Sequence, residues 1–338
     1  SGAVSAAAAQ VLARFGVRAQ ALAGHSYGEL VALHAAGAMD LATLLRLSKL
    51  RGELMARETG ESGMLAVRAA VSQVEALLRE TGIVLTIANK NAPEQTVLSG
   101  EREALAQAVE ALKSRGISAT PLAVAAAFHS AFVEHASAPL LEALRAADIT
   151  ALDSEKPPVY ANTTAAPYPA DRDALCTLLA AQLARPVEFV DQITRMHADG
   201  VHTFLEVGPG ARMTGLVQAI LQGKAFQAFA LDTSNPQRGG IEALARVLAQ
   251  LAAGGHAVDL RPWNEGCVAP APAKKPRMTV QLSGANYVAP KPPRPVRVEQ
   301  AGATGGGTNM GFGTNPGGTH TPHTDRAGGT PTPHTRPT

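Results

Sequence analysis

The sequence predicts an α/β fold, and three observations predict it. Short apolar segments that read as strands alternate with helical segments along most of the 338 residues. That alternation implies a parallel sheet with helices on both faces. The heptapeptide Gly24-His25-Ser26-Tyr27-Gly28-Glu29-Leu30 joins an apolar run, Ala19 to Ala23, to a helix-like run, Glu29 to Ala36. Strand, Gly-x-Ser-x-Gly, helix is the context of a nucleophile elbow. Between residues 63 and 124 the texture changes to the order βαββαβ, the ferredoxin-like pattern. The expectation is an α/β-hydrolase-like, parallel-sheet large subdomain that carries an inserted ferredoxin-like small subdomain.

The elements follow in order. Residues 2–15 have helical composition, and the strand and elbow occupy 19–28. Asp40 is an N-cap for a helix over 41–58, where Leu and Met recur at helical spacing. Met64–Val67 reads as a strand, Ser72 as the cap of a helix to Glu80, and Ile83–Ile87 and Thr96–Ser99 as strands. A helix fits 101–115, and Pro121–Val124 closes the insert as a short strand. A helix at 130–147, a strand at Val159–Ala161 and helices at 171–184 and 188–199 come next. The strand Thr203–Val207 then leads through Gly208-Pro209-Gly210 into a helix at 211–222. A strand at Phe226–Leu231 and a helix at 240–253 complete the body.

From Val268 the chain turns to Pro, Ala and Lys, with one orderable island at Met278–Tyr287. Residues 301–338 are Gly, Thr, Pro and His, a composition that cannot bury enough apolar surface to offset chain entropy, and they read as disordered linker. The boundaries expected are a large subdomain over 1–61, the insert over 62–125, the large subdomain again over 126–265, a linker over 266–300 and the disordered tail over 301–338.

Composition removes several classes of function. Net charge is +2, and from Val268 onward eight Lys/Arg stand against two Asp/Glu, so a mildly acidic body precedes a basic tail. Aromatic residues make up only 4% and do not interleave with basic ones, so no nucleic-acid face is expected. No apolar run approaches the length of a membrane span. The opening Ser-Gly-Ala-Val lacks the basic start of a signal peptide. Cys176 and Cys267 lack metal or redox spacing and fit a reducing cytoplasm. His320, His323 and His334 lie in the tail beside Thr-Pro, and no metal site is expected there.

The chemistry centres on the elbow. The tight turn calls for Gly24 and Gly28, and Ser26 is thrust out at a helix N-terminus, where backbone N–H groups favour developing negative charge. A serine nucleophile needs a base, and His129 in Ala126-Ala127-Phe128-His129-Ser130 stands where a predicted strand gives way to a helix. His25 is too close to the elbow, His34 lies on a helix and His202 starts a strand. Arg51, 25 residues past Ser26, carries a planar fork that can hold a carboxylate bidentately. No acid is placed to complete a Ser-His-Asp order.

On these residues the chain resembles the malonyl-CoA:acyl-carrier-protein acyltransferases, in particular the acyltransferase domains of multidomain polyketide and polyunsaturated-fatty-acid synthases. The matching elements are Gly24–Glu29, Lys49-Leu50-Arg51-Gly52, Asn91-x-Pro93 leading into Val97-Leu98-Ser99-Gly100, and Ala127-Phe128-His129-Ser130. Asn162-Thr163-Thr164, Pro186-Val187-Glu188-Phe189 and Glu206-Val207-Gly208-Pro209-Gly210 follow in family order. The inserted subdomain is a family feature as well.

The resemblance implies that Ser26 carries the acyl group, that His129 is general base and then acid, and that Arg51 clamps the malonyl carboxylate. Tyr27 is implied as an oxyanion donor through its backbone N–H. The histidine is implied to be oriented by a backbone carbonyl near Pro186–Phe189, at the position Glu188 occupies here. The residues before the histidine track acyl choice in such synthases: His-Ala-Phe-His goes with malonyl and Tyr-Ala-Ser-His with methylmalonyl. Phe128 therefore points to malonyl, while Ala126 departs from both patterns. The implied substrates are malonyl-CoA and the phosphopantetheine thiol of an acyl carrier protein, with no cofactor bound by the domain itself and a ketosynthase as neighbour in a cytoplasmic parent chain. Family members begin with a strand and a Gly-Gln-Gly-Ser-Gln-like loop that supplies a second oxyanion donor. That loop is not among the 25 residues before Ser26, so the chain reads as a fragment truncated at both ends. Loss of such a donor lowers rates about 100- to 1000-fold. Two alternatives stand beside this reading: an α/β-hydrolase-type esterase or thioesterase sharing the elbow, and a catalytically silent interaction module.

Overall fold

Two parallel strand pairs and one four-stranded antiparallel sheet organise the chain. The computed structural model describes residues 2–56, 61–124, 127–152, 154–233 and 239–266, all within the unit Ser1–Ala269. The tail, its island at 278–287 and Cys267 lie outside the described residues. Helix α1 (Gly2–Arg14) precedes β1 (Leu22–Ala23), which pairs in parallel with β6 (Val159–Tyr160). Downstream, β7 (Thr203–Glu206) pairs in parallel with β8 (Gln227–Ala230). The Glu206 carboxylate, at the end of β7, accepts from Met213 N, Thr214 N and Thr214 Oγ1. It thereby satisfies open N–H groups at the start of α9 (Arg212–Ile220).

The insert consists of β2 (Ser62–Val67), α4 (Val71–Thr81), β3 (Thr86–Ala92), β4 (Gln95–Glu101), α5 (Arg102–Ser114) and β5 (Ala119–Pro121). The strand order β3-β4-β2-β5, antiparallel throughout, is the ferredoxin-like arrangement. Side chains alternate across each strand. Leu65, Val67 and Leu98 face the helices and meet Val74, Leu77, Leu105, Ala108 and Leu112. Met64, Ala88 and Val97 face the other way, toward Phe128. The insert therefore has a core of its own and a second buried face turned to the site.

Helix α2 (Gly28–Ala35) leaves the elbow, and α3 (Leu41–Met55) starts at Asp40, whose side chain accepts from Thr43 N at 2.7 Å. Leu44, Leu47, Arg51 and Leu54 recur at helical spacing and are all buried, so Arg51 sits in an otherwise apolar stripe. Helices α6 (Ser137–Ala146) and α7 (Arg172–Ala181) join α2 and α3 in the largest apolar cluster. Helix α8 (Phe189–Ala198) and α9 cover β7 and β8 on one side, and α1 and α10 (Gly240–Ala253) on the other.

Several sequence expectations shift. Ser72 does not cap α4: Ala70 holds the cap position and its N–H donates to Gln73 Oε1 at 3.1 Å. The strand expected at Ile83–Ile87 starts at Thr86, because Gly82 ends α4 with φ 70° and Val84 is left 88% exposed. The closing strand falls at Ala119–Pro121 rather than 121–124. The helix expected at 130–147 begins as a 3₁₀ stretch, Ala131–Ala136, and becomes α-helical at Ser137, with Pro139 in its first turn where no N–H is needed.

Candidate active site

The elbow is a turn closed by hydrogen bonds from Gly28 N to His25 O (2.9 Å) and from Glu29 N to Ser26 O (3.1 Å). A Cβ at Gly24 would lie 1.9 Å from the carbonyl carbon of Gly28, so only glycine fits there. The same expectation fails at Gly28, where a Cβ would meet nothing within 4 Å. Ser26 and His129 have φ of 51° and 58°; with Ala165 they are the only non-glycine residues with positive φ among those described. Left-handed backbone is costly for ordinary residues and persists where the surroundings impose it.

Ser26 Oγ lies 2.8 Å from His129 Nε2. On the far side of the ring, Nδ1 is 3.1 Å from both the Gln182 and Arg185 carbonyl oxygens. Two acceptors fix the proton on Nδ1 and leave Nε2 free to accept from the serine. Burial, followed by the charge of Arg51, pulls the His129 pKa down to about 4, so the ring is neutral at pH 7. Carbonyls take the orienting place that a carboxylate holds in a Ser-His-Asp triad. They belong to Gln182 and Arg185, not to Glu188. The Glu188 carboxylate instead meets Lys90 Nζ at 2.9 Å, while its N–H donates to Asn162 O.

Arg51 places Nη2 3.2 Å from Ser26 Oγ and 3.4 Å from Gln182 Oε1. Its guanidinium lies 5.7 Å from the centroid of the Tyr27 ring, and Tyr27 Oη contacts Ser48 Oγ at 2.7 Å. Arg51 is 7% exposed, and among the described residues it forms no ion pair. Burial draws its pKa down to about 10, which still leaves it charged at neutral pH. A buried cation without a contacting carboxylate, beside a serine hydroxyl that meets a histidine, is a place for an anionic group. Phe128 is half-buried and packs against both the large apolar cluster and the site-facing side of the insert. Ala126 lies outside the described residues.

Residues the sequence reading left without a role hold this geometry. Asn162 Oδ1 accepts from Ser26 N at 2.6 Å, and its Nδ2 donates to Gly24 O at 2.6 Å and Gln192 Oε1 at 3.0 Å. The Asn162 N–H donates to Glu29 Oε1 at 2.6 Å, and Gln192 Nε2 donates to Tyr160 O at 2.7 Å. His25 Nε2 meets Asn91 Oδ1 at 2.8 Å, tying the elbow to the insert, and its ring stands edge-on to Phe189. One signal was available in the sequence: Glu29, Gln182 and Gln192 each occupy a buried position among apolar residues of a helix or helical turn.

Residues 2–257 match the acyl transferase domain family, and the chain belongs to it. It is 37% identical over 212 residues to the malonyl CoA-acyl carrier protein transacylase of Bacillus subtilis, covering 61% of this chain and 66% of that protein. It is 38% identical over 228 residues to the polyketide biosynthesis protein ThaF of Burkholderia thailandensis, covering 66% of this chain and 19% of that protein. Among solved structures, the acyltransferase domain from the second module of the salinomycin polyketide synthase matches with a TM-score of 0.69 and 30% identity, over 80% of this chain and 63% of that one. The chain thus spans less than two thirds of these relatives. Among the described residues, no helix is long and apolar enough to cross a membrane, and no cluster of side chains is arranged to hold a metal ion.

Proposed function

We propose that the chain transfers a malonyl group from malonyl-CoA to the phosphopantetheine thiol of an acyl carrier protein through a malonyl ester on Ser26. One observation carries the reading: Ser26 Oγ lies 2.8 Å from the acceptor nitrogen of a neutral histidine and 3.2 Å from a buried arginine that forms no ion pair among the described residues. The relatives named for malonyl transfer and polyketide synthesis support it.

In the first half-reaction Oγ attacks the thioester carbonyl while its proton passes to His129 Nε2. The Ser26 N–H is committed to Asn162 Oδ1, so the Tyr27 N–H is the elbow group proposed for the oxyanion. The protonated histidine then gives its proton to the leaving CoA thiolate. In the second half-reaction His129 takes the proton of the carrier thiol, which attacks the ester, and returns it to Ser26 as the carbonyl re-forms. Arg51 holds the malonyl carboxylate throughout. The Phe128 ring narrows the acyl space beside His129, where an α-methyl would stand. We assign the parent chain to the cytoplasm, with a ketosynthase as neighbour and the segment after Val268 as linker.

Labelled malonyl-CoA with and without a carrier protein tests the transfer. Label moving to the carrier thiol is expected; release of free malonate without transfer means a hydrolase, and absence of any loading means a silent module. Arg51→Ala is expected to lower malonyl loading at least tenfold while acetyl loading is kept or gained. Unchanged malonyl loading overturns the clamp.

A further inference from the structure

Glu29 stands directly beneath the elbow and is 0% exposed. Its Oε1 accepts from the Asn162 N–H at 2.6 Å and from the Tyr168 hydroxyl at 3.1 Å. Its Oε2 is buried with no hydrogen-bond partner, as is Gln182 Nε2. The Gln182 amide lies close enough to favour the ionised carboxyl without closing a hydrogen bond of normal geometry, and its Oε1 accepts from Arg51. Gln182 therefore stands between an open carboxylate oxygen and the proposed clamp. Glu29 is also the strongest favourable charge acting on the Arg51 guanidinium.

Such an arrangement has a consequence for a second anion. A carboxylate that docks on Arg51 meets a buried cation already balanced, in part, by Glu29. Two carboxylates sharing one buried cation cannot both stay ionised at low cost. One of them must take a proton, and a malonyl carboxylate, an ordinary acid in contact with a guanidinium, holds its charge. We propose that Glu29 is a positioning residue for acyl choice: it is the resident counter-charge of Arg51, and it surrenders that charge to a proton from solvent when an acyl carboxylate docks. The inference rests on the clamp reading of Arg51.

Burial, opposed by the Asn162 N–H and the Tyr168 hydroxyl, pushes the Glu29 pKa up to about 7, within reach of a proton at neutral pH. The groups facing it are Arg51 from α3 and Tyr168 from the segment after β6, with His129 beyond Arg51. Strand β1 contributes no titratable group. Arg14, on α1, turns outward to Glu265, and Tyr160, on β6, donates to Asp199. Below about pH 7 Glu29 is neutral and Arg51 is open to the acyl carboxylate; above it, binding requires proton uptake. Preference for malonyl over acetyl should therefore fall as pH rises, by up to about tenfold per unit.

The test is the ratio of kcat/KM for malonyl-CoA to that for acetyl-CoA between pH 6 and 9, because effects common to both acyl groups cancel. In the wild type the ratio is expected to fall above about pH 7; in Glu29→Gln it is expected to stay flat and to exceed the wild-type ratio at pH 9. Tyr168→Phe keeps the carboxylate but removes a donor that favours its ionised form, so the break is expected at higher pH. A Glu29→Gln ratio that follows the wild-type curve, or a Tyr168→Phe break that does not move, overturns the Glu29 role. The Arg51→Ala ratio separates the two readings. If it collapses, the clamp stands and the Glu29 variants decide alone; if it equals the wild-type ratio, the clamp falls and this inference with it.

Discussion

The insert and the elbow region are held together by different means. In the insert, leucine and valine side chains alternate along paired strands, and those that face the two helices pack against them in an apolar cluster. Around the elbow the strands β1 and β6 are only two residues long, and the positions of Ser26 and His129 are set by Glu29, Asn162, Gln182, Gln192 and backbone carbonyls. A non-directional core tolerates small errors of position, whereas hydrogen bonds fix atoms at set distances and angles. Ser26 and His129 stand where directional contacts can hold two left-handed backbones in place. The insert adds such contacts of its own, between Asn91 and His25 and from the Ala127 N–H to Ser62 Oγ.

The difference can be broken at either end. The largest effect is expected from Asn162→Ala. It leaves the Ser26 N–H, the Gly24 carbonyl and Gln192 Oε1 without their partner, at roughly 1–3 kcal/mol for each buried group. Thermal melting should report a loss of several kcal/mol. Acyl loading should fall even in the fraction that circular dichroism shows to be folded, because the Ser26 N–H then loses the partner that helps to hold its backbone at φ 51°. Leu98→Ala, in the core of the insert, should cost about 2–5 kcal/mol by denaturant titration. Loading per folded molecule should stay near wild type. A Leu98→Ala protein that is folded but unable to load would mean that the insert core also sets the site.

The smallest effect is expected at Glu188. Its ion pair with Lys90 is partly exposed, and such pairs contribute about 0–1 kcal/mol. Glu188→Gln should therefore shift the melting temperature little and leave kcat/KM for malonyl-CoA unchanged. A tenfold drop would return Glu188 to the site from which its geometry removes it.

The same contrast explains what could be read in the sequence. The insert was legible because period-2 and period-3.6 patterns encode its strands and helices, although Gly82 delays β3 by three residues. The elbow was legible because Gly24 and Ser26 form a local motif whose geometry depends on close neighbours in the chain. Arg51 was legible through its side-chain type and the motif Lys49-Leu50-Arg51-Gly52, but its distance from Ser26 could not be read. A carbonyl near Pro186 was implied by the family resemblance, and Arg185 supplies one there, but the carbonyl of Gln182 was not legible, since every residue has one and only the fold brings it to the ring. Asn162 lay in a matching motif, yet four of its contacts, with Gly24, Ser26, Glu29 and Gln192, span 30 to 138 residues of sequence.

The most direct measurement is peptide mass mapping of the chain after brief incubation with malonyl-CoA, beside Ser26→Ala. One malonyl group on the peptide that contains Ser26, absent from the variant, is the expected result. A folded wild-type chain with no ester at Ser26, or a malonyl adduct that persists in Ser26→Ala, would contradict the assignment of the elbow as the acyl-carrying site.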